Sequence, residues 1–462
     1  MTTIDKFLRE HASRFEAELC DFLRIPSVSA KSECRQEMVR AAEWLRRKLE
    51  SIGLRAEILL PKSKPDAHPL VYAQSSPVIP EAPTVLVYGH YDVQPAEPLE
   101  AWQTPPFEPS RRDGFIYARG ASDDKGQLLT HVFSTEAWLA VRGTLPINLK
   151  FLIEGEEEIG SAGLAAFLQE DPERFACECV VISDTAQFGP GQPAITYAQR
   201  GIVYFQLDLE GPHSDLHSGT YGGAVTNPAN VLARMLGAMV DDRGRVKVPG
   251  FYDDVKPISE EERSMLGLLS FDEDKFFEEI GVSGGSGESG FTVLERLWTR
   301  PSFDISGLSS GYQGEGAKTI IPRSASAKFS FRLVPDQDPG KIVQAVKSYL
   351  EPMCPPGIRM KLTVLAQCRA FALPIRSPWV DAARRAIEEG FGCPPVFIRA
   401  GGSIPIISAL YRALGAYILL VGWGQEADNA HGPNERFSLV DFHRGIRTSS
   451  RLWDELSRVK RG

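Results

Sequence analysis

The stretch TVLVYGHYDVQP, residues 84–95, decides how the chain folds. It opens with a run of β-branched, apolar and aromatic residues that ends abruptly in Gly89, His90, Tyr91 and Asp92. This pattern predicts a buried strand that delivers an imidazole and a carboxylate to its carboxyl end. In open α/β sheets the working crevice lies outside the carboxyl ends of the strands. A lone histidine there is more often a hydrogen-bonded loop residue than a ligand, so the role of His90 depends on how the other strands end.

The composition is that of a globular chain with more than one domain. Its 462 residues exceed the ~150 typical of one domain, and 43% are hydrophobic and 24% charged. The net charge of -9 and the lack of a Lys/Arg stripe interleaved with aromatics argue against a nucleic-acid partner. The N-terminal residues lack a signal-peptide pattern, and no apolar run approaches the ~18 residues that span a bilayer. We therefore expect a cytoplasmic protein with no membrane partner.

The cysteines do not predict a disulfide framework. There are seven, an odd number, scattered from Cys20 to Cys393. Cys177 and Cys179 alternate along a predicted strand, and buried free thiols are the better interpretation of the pair.

Strands alternate with helices over about the first 200 residues and again after residue 372. Helical periodicity covers about 4–23, 33–52, 126–141 and 161–170. Strands are predicted at about 54–60, 70–75, 84–90, 147–155 and 179–184. Near the C-terminal end, the helices SPWVDAARRAIEEGFG and IPIISALYRAL alternate with the strands PVFIRA and AYILLVGWG. This alternation predicts an α/β fold with a mainly parallel, helix-covered sheet.

The pattern changes at Arg200 and Gly201. IVYFQLDLEG, SAKFSFRLV and RMKLTVLAQ read as half-exposed antiparallel strands, with a helix at about 339–350. Residues from about 246 to 316 are rich in Gly, Ser, Asp and Glu and show little periodicity. We predict a smaller α/β sandwich, residues 200–372, inserted into a domain built from residues 1–199 and 373–462.

Five predicted strands or strand-linked loops end in side chains that can bind a metal. In chain order these are His90 and Asp92, Asp123 and Asp124, the cluster Glu156, Glu157 and Glu158, then Asp184, and finally His431. One such ending is ordinary, but five at one sheet edge favour a common site over solvated loop acids. Carboxylates with two imidazoles suit zinc or a similar first-row ion such as manganese, and the absence of thiolate pairs argues against a structural zinc site.

The motifs at these strand ends resemble a known family. GHYDVQP, RGASDDKG, FLIEGEEEIGS, VISD and AHGPNER look like the successive motifs of the M20 family of zinc-dependent peptidases and amidohydrolases. DLHSGTYGG, GAKTIIPRSASAKFSFRLVP and AGGSIPI resemble the dipeptidase branch that includes the cytosolic nonspecific and carnosine dipeptidases. The resemblance implies a two-metal catalytic domain (1–199 and 373–462) and an inserted lid and dimerisation domain (200–372) through which two subunits pair.

The resemblance also implies a ligand set for two divalent ions, zinc first and manganese as the alternative. His90 and Asp184 would hold one ion, Glu158 and His431 the other, and Asp123 would bridge them. Asp92 would orient His90, and a cis peptide would join Asp123 to Asp124. Glu157 would be the general base, taking a proton from the water that becomes a metal-bridging hydroxide. Glu156 is interpreted as an exposed acid or one that supports the ligands, although a shift by one among the three glutamates stays open.

Four residues outside the metal site are candidates for substrate contacts. Arg332 could fork onto a C-terminal carboxylate, or be an exposed strand residue. Ser403 could bind the same carboxylate, or simply cap a helix. Thr319 resembles a residue that the dipeptidases present from the lid. His217 resembles a lid histidine that reaches the neighbouring subunit's site and stabilises the oxyanion, while sequence context alone favours a loop residue bonded to its own backbone, as we also expect for His213.

These observations predict a metal-dependent dipeptidase that acts on small peptides with a free C-terminal carboxylate and works as a homodimer. A deacylase or amidohydrolase of N-acyl amino acids is the alternative within the same chemistry. A non-catalytic metal- or peptide-binding protein is the alternative of another class. Glu157 argues against it, because a binding module needs no base beside a complete ligand set.

Overall fold

The computed structural model describes residues 2–402 and 404–460. The chain folds into two compact units. The first consists of Met1–Tyr197, Leu373–Ile398 and Ile404–Gly462, and the second of Ala198–Ala372 and Arg399–Ser403. Residues 399–402 therefore group with the second unit, whereas the sequence placed all of 373–462 in the first.

The helices and strands follow the alternation expected from the sequence. The helices are α1 (Thr3–Glu10), α2 (Ala12–Leu23), α3 (Arg35–Ser51), α4 (Lys125–Arg142), α5 (Ala162–Glu170), α6 (Ser218–Tyr221), α7 (Pro228–Gly237), α8 (Glu260–Gly267), α9 (Glu273–Glu279), α10 (Val293–Trp298), α11 (Pro339–Leu350), α12 (Pro378–Phe391), α13 (Pro405–Leu414) and α14 (Leu439–Ser457). The strands are β1 (Arg55–Leu59), β2 (Leu70–Gln74), β3 (Thr84–His90), β4 (Ser110–Arg112), β5 (Phe115–Tyr117), β6 (Asn148–Glu154), β7 (Cys179–Ile182), β8 (Ala194–Gln199), β9 (Gly201–Glu210), β10 (Leu216–His217), β11 (Ser302–Ser310), β12 (Ile320–Ile321), β13 (Ser324–Leu333), β14 (Arg359–Cys368), β15 (Phe371–Ala372), β16 (Val396–Ala400), β17 (Tyr417–Leu420) and β18 (Arg436–Ser438).

A nine-stranded sheet forms the centre of the fold. Its order is β1-β2-β6-β3-β7-β17-β8-β15, with β16 also paired to β8. The four central strands β6, β3, β7 and β17 run parallel, and β1, β2, β8 and β15 pair antiparallel at the two sides. The predicted mainly parallel, helix-covered sheet is thus confirmed for the centre of the fold. Strand β3 is buried from Val85 to His90, which explains its unbroken apolar run.

One core joins the helices of the first unit to this sheet. It contains Phe15 of α2, Met38 of α3, Phe133 of α4 and Trp453 of α14, all fully buried. The sequence predicted one helix over about 4–23, but the structure has two, α1 and α2, interrupted at His11. The His11 ring stacks on Phe7, and its Nδ1 lies 2.9 Å from the Phe7 carbonyl oxygen, so the side chain competes for the bonds of the first helix.

The second unit is an antiparallel sheet of order β11-β13-β9-β14 with helices α7 and α11 in its core. Burial alternates along β9 and β13, as predicted for half-exposed strands. The prediction that residues 246–316 are irregular is wrong in part, because they contain α8, α9, α10 and the edge strand β11. Strand β11 is polar and largely exposed, and its register shifts between Ile305 and Gly307, so it lacks the alternation that would have revealed it.

All seven cysteines are free, as predicted. Cys179 is buried in β7, but Cys177 lies before that strand and is only partly buried, so the predicted alternation of the two is wrong. Within residues 2–402 and 404–460, no helix has the length and apolar character needed to cross a bilayer.

Candidate active site

The carboxyl end of β3 carries the first part of the site. The His90 side chain is fully buried, and its Nδ1 lies 3.0 Å from the carbonyl oxygen of Asp92 and 3.4 Å from Asp92 Oδ1. The Asp92 carboxylate also accepts hydrogen bonds from the backbone N–H groups of Glu157 (3.3 Å) and Glu158 (3.1 Å). The Asp92 carboxylate therefore lies beside His90 and also fixes the turn that follows β6. That Asp92 orients His90 stays a prediction.

The turn before α4 carries the second part. The Asp123–Asp124 peptide is cis, as predicted. Asp124 Oδ2 accepts the backbone N–H of His90 at 3.2 Å, and a Cβ on Gly89 would lie 2.7 Å from the same oxygen. A glycine at position 89 is therefore needed for this close approach. Lys125, fully buried, donates to the carbonyl oxygen of Ile25 at 2.7 Å and ties the turn to the segment after α2.

The structure brings the five predicted ligand side chains together in two groups that share Asp123. In the first group, His90 Nε2 lies 3.0 Å from Asp123 Oδ1 and 3.7 Å from Asp184 Oδ2. In the second, His431 Nε2 lies 2.8 Å from Asp123 Oδ2 and 3.4 Å from Glu158 Oε2. Asp123 thus presents one oxygen to each histidine, the arrangement that a bridging carboxylate needs.

The electrostatics of these groups fit a pair of cations. Burial and the charge of Asp123 raise the pKa of Glu158 to about 8. Burial, with the charges of Asp184 and Glu158, raises the pKa of Glu157 well above its ordinary value. Among the described residues, no group satisfies hydrogen-bond geometry with the buried Nε2 of His90, although Asp123 Oδ1 is near. Divalent ions would neutralise the crowded carboxylates and satisfy this nitrogen.

The pKa values of His90 and His431 are both raised by neighbouring carboxylates. The hydrogen bond to Asp123 raises the pKa of His431 to about 9 against the opposing effect of burial. Burial alone would lower the pKa of His90, but the neighbouring carboxylates of Asp123, Asp184 and Asp92 raise it well above the ordinary value. An imidazole must be neutral to bind a metal, so metal binding at neutral pH displaces protons from this site.

The three consecutive glutamates point to different partners. Glu156 is 8% exposed and accepts the backbone N–H groups of His68 (2.9 Å) and Gly163 (2.6 Å), so it fixes the entry to α5 and is not an exposed acid. Glu158, and not Glu156, lies beside His431. Glu157 lies between them, partly buried, with its backbone held by Asp92.

Three residues near the ligands were missed by the sequence analysis. Gln94 Nε2 donates to Glu158 Oε2 at 2.7 Å. Arg119 and Glu435 form a buried ion pair with an Nη1–Oε2 distance of 2.8 Å. All three lie inside or next to the motifs GHYDVQP, RGASDDKG and AHGPNER, and that position was the available signal. The direction in which their side chains point was not readable from spacing.

Two of the candidate substrate residues, Arg332 and Thr319, lie in the second unit. Arg332, on β13, is partly buried, and this burial lowers its pKa. Thr319 is exposed, and its carbonyl oxygen accepts the Ser218 N–H at 3.1 Å. Ser403 lies outside the described residues. The substrate roles of all three stay predictions.

His217 lies in β10, next to Thr319 through the pairing of His217 with Ile320 in β12. Its side chain is exposed, and its Nδ1 accepts the Gly219 N–H at 3.0 Å. The ring therefore does bond its own backbone, the alternative that sequence context favoured. Because Nδ1 accepts, the neutral ring carries its proton on Nε2, which leaves a donor directed away from the turn. His213 is exposed.

Imidazoles and carboxylates gathered at the carboxyl edge of an α/β sheet define a metal-dependent hydrolase. Residues 86–455 match the family model described as Peptidase family M20/M25/M40. The chain belongs to this family of metallopeptidases, and the resemblance seen in the motifs is confirmed.

Relatives over the full chain share the same character. The chain is 31% identical to the Beta-Ala-His dipeptidase of Rattus norvegicus, over 99% of this chain and 96% of the relative. It is 32% identical to the Cys-Gly metallodipeptidase DUG1 of Saccharomyces cerevisiae, over 97% and 96%. Among solved structures, the M20 family metallo-carboxypeptidase Sso-CP2 from Sulfolobus solfataricus is 31% identical with a TM-score of 0.86, over 96% of this chain and 99% of that one.

Proposed function

We propose that the protein is a metal-dependent dipeptidase that hydrolyses the amide bond of dipeptides or short peptides with a free C-terminal carboxylate. The observation that carries the proposal is the meeting of four ligand-type side chains around a fifth, Asp123, with the carboxylate of Glu157 next to them. The names of the full-length relatives, dipeptidases in rat and yeast, support the same reaction.

His90, Asp123 and Asp184 would hold one divalent ion. Asp123, Glu158 and His431 would hold the other. Nitrogen and oxygen donors of this kind suit zinc first and manganese as the alternative. Two such ions polarise a scissile carbonyl and lower the pKa of a bound water.

Glu157 is the proposed general base. Its carboxylate takes the proton of the attacking water and delivers it to the nitrogen of the leaving amine. The burial and neighbouring charges that raise its pKa favour holding that proton between the two steps. Asp92 supports this role, because it binds the backbone N–H of Glu157 and contacts His90 with the same carboxylate.

His217 is the proposed donor to the oxyanion. The Gly219 N–H occupies Nδ1 and so keeps the proton on Nε2, the nitrogen that can donate. A donor aimed at the developing negative charge is worth about 3 to 4 kcal/mol in such sites. We further propose that His217 and its neighbour Thr319 serve the site of a partner subunit, in a cytoplasmic homodimer that pairs through the second unit.

Arg332 and Ser403 are the proposed binding groups for the substrate carboxylate. A guanidinium offers two parallel donors that match a carboxylate, and partial burial of Arg332 strengthens that interaction. The Sulfolobus relative is named a carboxypeptidase, which agrees with recognition of a free C-terminus.

Metal titration of the stripped protein tests the proposal. The protein is stripped with a chelator, its fold is checked by circular dichroism, and Zn²⁺ or Mn²⁺ is added while dipeptide hydrolysis is followed. We expect activity to vanish on stripping and to reach its maximum at two ions per chain. The variant Asp123→Asn should bind neither ion tightly, whereas the exposed control Asp66→Asn should behave as wild type. Hydrolysis that persists without metal would contradict the proposal.

A further inference from the structure

The carboxylate of Glu435 contacts the backbone of a turn that carries proposed ligands and has no role in the reaction described above. Glu435 is fully buried. Its Oε1 accepts the backbone N–H groups of Ser122 (2.9 Å) and Asp123 (3.1 Å), and its Oε2 accepts that of Gly120 (2.8 Å). One side chain therefore holds the backbone of the turn that presents Asp123 to both histidines.

Arg119 extends this contact to the other ligand turn. Its Nη1 donates to Glu435 Oε2 at 2.8 Å, and its Nη2 donates to the carbonyl oxygens of His431 (2.9 Å) and Pro95 (3.2 Å). Arg119 is 1% exposed, so it is a structural contact and not a surface charge. Pro95 closes the stretch that begins with β3, so three of the ligand-bearing segments meet at this ion pair.

The backbone of the second ligand turn has an uncommon conformation. His431 has a φ of 64° and Asn434 a φ of 60°, in the left-handed region that is uncommon for residues other than glycine, although Asn and His enter it more readily than most. The bond from Arg119 to the His431 carbonyl fixes the residue in that conformation.

We propose that Glu435 is a positioning residue that, together with Arg119, sets the distance between Asp123 and His431 and so makes the second metal position. The inference rests on the proposed function, because it takes Asp123 and His431 as ligands. Glu435 touches neither the substrate nor the metal position, and it acts only through the backbone of the two turns.

The hydrogen bonds of Glu435 require a carboxylate. Four N–H donors converge on the two oxygens of Glu435, so both oxygens must accept. The nearly isosteric variant Glu435→Gln has one accepting oxygen and one donating NH₂ group. Whichever way the amide turns, it opposes two of the four donors and leaves the Arg119 charge without its partner.

The test measures Co²⁺ binding, because the d–d absorption of Co²⁺ reports ligand number and geometry without an activity assay. For Glu435→Gln we expect the weaker of two binding steps to lose about 10- to 100-fold in affinity, the effect typical of residues that orient metal ligands. We also expect a changed spectrum for the ion bound in that step. Wild-type affinity and spectrum in a folded Glu435→Gln protein would overturn the proposal.

A matched control separates positioning from general loss of stability. Asp5, 8% exposed, accepts two bonds from Arg451 (2.8 and 2.7 Å) in the same unit. Asp5→Asn removes a comparable buried carboxylate and should leave Co²⁺ binding unchanged. A loss of affinity in Asp5→Asn equal to that in Glu435→Gln would show that any buried defect weakens the site, which overturns the proposal.

Two further variants complete the test. If Glu435→Gln does not fold, Arg119→Gln/Glu435→Gln, which removes both buried charges, takes its place, and wild-type Co²⁺ binding by that protein would overturn the proposal. Asp123→Asn distinguishes this failure from failure of the proposed function. If Asp123→Asn binds Co²⁺ as wild type does, the ligand assignment itself is wrong. If Asp123→Asn loses Co²⁺ binding and Glu435→Gln binds Co²⁺ as wild type does, only the inference about Glu435 is wrong.

Discussion

The side chain of Asp92 contacts several parts of the site at once. Its carboxylate lies 3.4 Å from the ring of His90 and accepts the N–H groups of Glu157 and Glu158. The proposed base and two proposed ligands therefore share one support. In the proposed mechanism the side chain of Glu157 does not bind a metal. It lies next to the proposed ligand Glu158, which is held by the same turn.

Glu157→Gln should retain both metal ions and lose most turnover. The amide keeps the size of the side chain but cannot take a proton, and removal of a general base costs about 10²- to 10⁴-fold. Metal content by atomic absorption and kcat for a dipeptide measure the two effects separately. The contrasting variant Glu158→Gln should lose metal. The two roles are assigned wrongly if Glu157→Gln loses metal while Glu158→Gln keeps both ions and its activity.

For single residues, the sequence predicted the residue types of the site better than the atoms that their side chains contact. The ligand-type residues were found because they follow strands, and parallel strands end at one edge of a sheet. The partner of His90 Nδ1 was predicted as the Asp92 carboxylate, whereas the nearer atom is the Asp92 carbonyl oxygen. Glu435 was missed, because its function depends on backbone N–H groups more than 300 positions away in the chain.

The buried side chain of His131 connects three secondary-structure elements of the first unit, α4, β7 and α14. His131 of α4 lies with Nε2 2.7 Å from the hydroxyl of Ser183, which follows β7 and precedes Asp184. Its Nδ1 lies 2.9 Å from the hydroxyl of Ser449 in α14. Ser183 in turn donates to the carbonyl oxygen of Val421 at 2.6 Å. The imidazole is therefore held by two hydroxyls inside the core.

His131 should make the free energy of unfolding depend on pH. Burial lowers its pKa from 6.5 to about 3. Between these values the unfolded chain binds a proton that the folded protein does not, so stability is lost as pH falls from 6.5 toward 3. His131→Gln should reduce this slope by up to about 1.4 kcal/mol per pH unit.

Urea unfolding followed by tryptophan fluorescence measures this slope, since six of the seven tryptophans lie in the first unit. The control His213→Gln removes an exposed imidazole and should keep the wild-type slope. Equal slopes in His131→Gln and wild type would show that this histidine does not titrate as its burial requires.

The elements themselves were predictable where burial is strong and less so where it is weak. Strand β3 was found because it is buried on both faces, so its apolar run is continuous. Strand β11 was missed because an edge strand pairs on one side and keeps a polar, exposed sequence. The break between α1 and α2 depends on the side chain of His11, which helical periodicity does not report.

The whole molecule consists of two compact units, one of which interrupts the other in sequence. The change from continuous to alternating apolar patterns near residue 200 signalled this arrangement, because it marks the passage from a covered sheet to a half-exposed one. The assembly of subunits is not encoded in such patterns. It depends on surface complementarity between copies, and the homodimer stays a proposal that a direct experiment can test.

Mixing two inactive variants tests the proposed dimer. His217→Ala chains and Glu157→Ala chains are combined under conditions that let subunits exchange. If His217 acts on the partner subunit, each mixed dimer regains one complete site, so the mixture should recover activity that neither parent has. If His217 acts on the partner subunit, exchange of wild-type chains with chains that carry both substitutions should lower activity, because the mixed dimer then has no complete site. A mixture as inactive as its parents would rule out the shared site.

The most direct test of the dipeptidase assignment is kcat/KM for three related substrates of the metal-loaded protein. These are a dipeptide, the same dipeptide with its C-terminus amidated, and the N-acetyl derivative of its C-terminal residue. We predict that the free dipeptide is preferred. Loss of the charge-assisted contact to Arg332 should lower kcat/KM for the amide by about 10- to 100-fold. Equal rates on the dipeptide and its amide, or a preference for the N-acetyl amino acid, would contradict the assignment and favour a more general amidohydrolase.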